Sequence, residues 1–122
     1  MCQELDLKVD EEIIPQIAFG FAGGIGNSGS VCGAVAGAVM AIGLKLGRGE
    51  TMEEMFRIVG VVQAFRRSFE TEMGTIDCRE LTGVDLGTEA GIARLMNSDI
   101  PQTVCTPAVG HAYRLVLDLI RE

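Results

Sequence analysis

Apolar and polar positions recur along most of the chain at helical spacing, and no stretch alternates as a half-buried strand would. Asp10 is the expected N-cap of a first helix that carries Glu11 and Glu12 in its opening turn and runs to about Phe21. The loop Ala-Gly-Gly-Ile-Gly-Asn-Ser-Gly-Ser follows, and its glycines and Asn27 permit positive φ. Ser30 is then the expected cap of a second helix, Val31 to Leu46, closed by Gly47. Thr51 and Glu54 form a capping box opening a third helix to about Met73. Met52, Met55, Phe56, Val59, Val62 and Phe65 give that helix an apolar face expected to fill the core, opposite Glu53, Arg57, Arg66 and Arg67.

Three shorter signals complete the pattern. Asp77 caps a brief helix ended by Gly83, and Thr88 to Met96 reads as another. Thr106 followed by Pro107 predicts the start of a last helix that reaches the chain end. The expected architecture is therefore all-α: one domain over residues 1–122, a small bundle of about five helices, with the glycine-rich loop before the second main helix.

Composition narrows what such a bundle does. With 122 residues the chain can bury a core unaided, and with no Trp and one Tyr that core must be aliphatic. The net charge is −7 and the ten basic residues are scattered, so nucleic acid is an unsuitable partner. Ala18 to Leu44 carries no charge and is long enough to span a bilayer, but glycines, Asn27 and two serines interrupt it. A buried helix is the better reading, and the chain is not expected to be integral to a membrane. The N-terminus has no basic segment leading into an apolar one, so a reducing cytoplasm is the expected compartment.

Gly24-Ile25-Gly26-Asn27-Ser28-Gly29 matches the dinucleotide string G-x-G-x-x-G. That motif needs a preceding strand, and a helix precedes it here. The cysteines carry the chemistry instead. Cys32, Cys78 and Cys105 each fall beside an expected helix start, where unpaired N–H groups and the helix dipole favour a thiolate. Arg79, next to Cys78, adds a cation. Small residues at Gly33 and Gly37 let a neighbouring helix, or a second copy in a homodimer, approach closely.

The segment around Cys32-Gly33-Ala34-Val35-Ala36-Gly37, its glycine loop, the Cys78-Arg79-Glu80-Leu81 segment and the later Cys105 resemble the C_GCAxxG_C_C family of redox-active proteins. The resemblance implies a small helical protein whose cysteines do redox or metal work. A similar domain in split-Soret cytochromes is associated with an iron–sulfur centre. The family's pattern holds a further cysteine in a helix well before the glycine loop, and Cys2 falls too late for that position.

Two chemistries stay open on these residues. In one, Cys32, Cys78 and Cys105 hold an iron–sulfur cluster or zinc, with Cys2, His111 or an external group as fourth ligand. Gly26, Gly29, Gly33 and Arg79 would then line the bound group. In the other, two of the three cysteines cycle between dithiol and disulfide with a redox partner of unspecified identity. A non-catalytic structural or oligomerisation module with inert, buried cysteines is the alternative to both.

Overall fold

The computed structural model describes residues 12–120. Helix α1 (Ile13–Ala18) passes through a 3-10 turn (Phe19–Phe21) into the glycine loop, and α2 (Gly33–Leu46) and α3 (Met52–Met73) follow. Then come α4 (Cys78–Thr82), α5 (Glu89–Met96) and α6 (Thr106–Ile120), the last entered through a π-helical segment (Pro101–Cys105). There is no named strand among the described residues; one isolated antiparallel bridge joins Val31 and Asp77. The all-helical bundle expected from the pattern is the architecture observed. The Asp10 cap lies outside the described residues.

Helices α2, α3 and α6 make the core. Val35, Ala38 and Ile42 on α2 pack against Phe65 and Phe69 on α3 and against Ala108, Ala112 and Val116 on α6. The two phenylalanine rings sit 6.0 Å apart, tilted by 36°. No helix among the described residues is long and apolar enough to cross a membrane. The α2 stretch that looked membrane-like is the central core helix, and its apolarity is spent on α3 and α6.

The capping box opens α3 as expected. The Glu54 N–H donates to the Thr51 hydroxyl at 3.1 Å, while the Glu54 carboxylate accepts from the Glu50 N–H at 2.8 Å. The apolar face assigned to α3 is corrected. Met52, Met55, Phe56 and Val59 are exposed, Met52 by 64 % and Phe56 by 68 %. The buried side is Ile58, Phe65 and Phe69. At about 100° per residue the two sets point roughly 110° apart around the helix. The pattern merges two stripes, and only the second meets α2 and α6.

Two further helix starts differ from the sequence expectation. Ser30 caps nothing: α2 begins at Gly33, with Cys32 in the N-cap position and no side-chain capping bond. Ser30's backbone is taken instead by the loop and by Cys78. Thr106, the first residue of α6, is not an N-cap either, because the π segment Pro101–Cys105 already runs into it. Pro101, not Pro107, sits at the opening of the helical segment, and the Thr106 N–H donates to the Pro101 carbonyl five residues back. A proline inside a helix lacks its N–H and presses on the carbonyl four residues earlier. The wider π turn just before Pro107 relieves that clash.

Candidate functional site

The Val31–Asp77 bridge is the local frame of the site. The Cys32 N–H donates to the Ile76 carbonyl and the Cys78 N–H to the Ser30 carbonyl, both at 2.7 Å. In an antiparallel pair, residues opposite one another share a face and successive residues alternate. Residues 30, 32, 76 and 78 therefore share one face of this short ladder, with Cys32 and Cys78 as diagonal neighbours on it. Beside the bridge, the Arg79 N–H donates to the Gly29 carbonyl at 3.2 Å.

The glycine loop closes against this frame. Gly23, Gly24, Ile25, Gly26 and Asn27 all have positive φ, five residues in succession. Such a run winds the backbone the left-handed way, which L-residues resist and glycine does not. It brings Gly24 against the bridge: a Cβ there would lie 2.6 Å from the Ser30 nitrogen and 2.8 Å from the Cys78 Cβ. Gly29 is held in the same manner, since a Cβ on it would meet the Arg79 Cβ at 2.8 Å.

Cys32, Cys78 and Cys105 all border one cavity of about 390 Å³. Cys105 reaches it from the π segment, which sets the side chain's direction at the entry to α6. The remaining walls include Gly33, Ala34, Leu86, Leu95 and Val109, with Asn27 and Thr82 supplying the polar non-thiol groups. No charged residue lines the cavity. All three thiols are free and half-buried.

Electrostatics at Cys78 and Cys105 reverses the sequence expectation. Burial pushes the Cys78 thiol up, and the charges of Cys32 and Cys105 push it further. Cys105 is raised by burial and by Cys32. The dipole argument fails for physical reasons. Helix α4 is only five residues long, and Cys105 lies within a continuous helical segment rather than at its start. Arg79 does not supply the expected cation: its guanidinium is 66 % exposed and turns to Asp85 at 3.8 Å.

The other expected site residues divide. Gly33 opens α2 and lines the cavity, while Gly26 and Gly29 do not border it. Gly24, on which a Cβ would meet the Cys78 Cβ at 2.8 Å, was not among the expected site residues. Its signal was present in the loop, but only the pairing with residue 78 distinguishes it from Gly23 and Gly26. His111 serves a different contact, with its Nδ1 2.7 Å from the Glu72 carboxylate at the end of α3. Arg114 approaches the same nitrogen at 3.3 Å. One ring nitrogen cannot donate to Glu72 and accept from Arg114 at once, and the shorter contact prevails. Cys2 lies outside the described residues.

Among the described residues no group of three or more His, Cys, Asp or Glu side chains could hold a metal ion. The cavity also lacks the cations that would offset a multi-thiolate centre. Cys32, Cys78 and Cys105 thus do not form a grouped metal-binding set among the described residues.

The family model described as "Putative redox-active protein (C_GCAxxG_C_C)" matches residues 1–119. No curated protein and no solved structure matches the chain.

Proposed function

The chain belongs to the C_GCAxxG_C_C family, and on that premise we propose that its redox chemistry is thiol–disulfide cycling between Cys32 and Cys78, with Cys105 as the third thiol. The observation that supports the reading is the antiparallel Val31–Asp77 bridge, flanked by Cys32 and Cys78, both of which border one cavity. Diagonal neighbours on such a ladder stand roughly 7–8 Å apart, so closing a disulfide takes a modest backbone shift. The glycine loop is the adjacent element, and its contact at Gly24 holds Cys78 in place.

In the oxidising direction, a Cys32 thiolate attacks an oxidant and the Cys78 thiol completes the bond. The pair loses two electrons and two protons, and the oxidant gains them. Cys105 borders the same cavity and would be the third thiol available to attack a mixed disulfide. The upward shift of the Cys78 thiol suits a pair that rests reduced, because burial favours its protonated form.

Thiol counting under anaerobic conditions tests this. Treating the reduced protein with diamide should remove two thiols per chain without forming a covalent dimer. Cys32→Ser or Cys78→Ser should block that loss while the far-ultraviolet circular dichroism stays native. An unchanged thiol count would return the cysteines to the inert structural reading.

A further inference from the structure

The cavity around the three thiols has a chemical character of its own. Its walls are aliphatic, it carries no lysine, arginine, aspartate or glutamate, and its volume of about 390 Å³ is that of a small-molecule site. A charged redox partner such as glutathione would have to bury carboxylates there without a counter-charge, which is unfavourable. An uncharged apolar molecule meets no such penalty. A second apolar groove of about 410 Å³ lies beside it between α1, α2 and α6, and Gly33, Ala34 and Val109 line both.

We propose that this cavity admits an uncharged, apolar two-electron acceptor of the quinone class, which oxidises the Cys32–Cys78 dithiol directly. The proposal rests on the thiol–disulfide reading above. The exchange balances: the two sulfurs join as a disulfide, losing two electrons and two protons, and the quinone takes both and departs as the neutral hydroquinone. No charge is left behind in the apolar walls. Asn27, the amide among the lining residues, offers N–H donors to a quinone carbonyl oxygen, which a cyclic disulfide such as lipoamide does not need.

The test compares oxidants on the reduced, full-length chain without oxygen, counting thiols against time. Tetramethyl-1,4-benzoquinone is the probe, because its fully substituted ring cannot be alkylated by a thiol. It should oxidise the pair at least tenfold faster than glutathione disulfide or lipoamide at equal concentration. Val109 is 58 % exposed and borders the cavity, so it can carry a charge without disturbing the core. Val109→Lys should slow the quinone and quicken glutathione disulfide, shifting their ratio at least tenfold, whereas Val109→Glu should slow the quinone and leave glutathione disulfide slow. Glutathione disulfide or lipoamide matching the quinone, or a ratio indifferent to both substitutions, would overturn the proposal. Diamide separates the two levels. If diamide closes the disulfide and the quinone does not, the substrate class is wrong; if neither closes it, the thiol–disulfide reading falls with it.

Discussion

Gly24 and Cys78 are in backbone-to-side-chain contact that leaves no room for a methyl group: a Cβ on Gly24 would sit 2.8 Å from the Cys78 Cβ. The same glycine has φ +74°. Gly24→Ala therefore combines overpacking with left-handed strain and should destabilise the protein by about 3 kcal/mol. Denaturant unfolding measures the loss. The same substitution should change the alkylation rate of Cys78 more than that of Cys105, because only Cys78 is pressed by the loop.

Ile25 is a β-branched residue at φ 64°, where side chains of that shape are disfavoured, and it is half exposed. Ile25→Gly should relieve that strain and raise stability by about 1 kcal/mol. Chemical denaturation of the variant would show an increased midpoint with an unchanged slope. A decrease would mean that Ile25 packs usefully in the folded loop.

Cys32 opposes ionisation at both of its neighbours. Cys32→Ser removes that charge, so the Cys78 and Cys105 thiols should ionise at lower pH than in the parent chain. Iodoacetamide labelling at pH 8–9, resolved by peptide, should be faster at both positions in the variant. Equal rates would show that the three thiols do not sense one another.

The same shifts make stability depend on pH in a definite direction. A thiol whose folded pKa lies above its unfolded value, near 8.5, stays protonated in the fold while the unfolded chain ionises. The stabilising contribution is present below that pH and disappears as pH rises through the folded pKa. Stability should thus fall above about pH 8.5, and a Cys78→Ala, Cys105→Ala double variant should lose less across that interval. Thermal unfolding from pH 7 to 10 measures both slopes.

Local features of this chain were readable in advance. The Thr51 cap, the glycine stops at Gly47 and Gly83, and the apolar core helix α2 depend on neighbours a few residues away. What escaped depends on distant partners. Ser30 was unavailable as a cap because Cys78 uses its carbonyl. The exposed stripe Met52–Phe56–Val59 looked like core because hydrophobic spacing does not say which of two faces has a partner. Cys105 appeared to precede a helix because Thr106-Pro107 is a start signal, yet a π turn carries the helix through it. The three cysteines themselves were identifiable from the family pattern, whereas the upward shifts of Cys78 and Cys105 followed only from their burial and from the neighbouring thiols in the fold.

The central claim is that Cys32 and Cys78 form the redox pair. Mass spectrometry of disulfide-linked peptides, after anaerobic reduction and brief oxidation with diamide, tests it most directly. The account predicts one dominant cross-link joining the Cys32 peptide to the Cys78 peptide, reversible by dithiothreitol and absent in Cys78→Ser. A dominant link between Cys105 and Cys2, or links between chains alone, would contradict it.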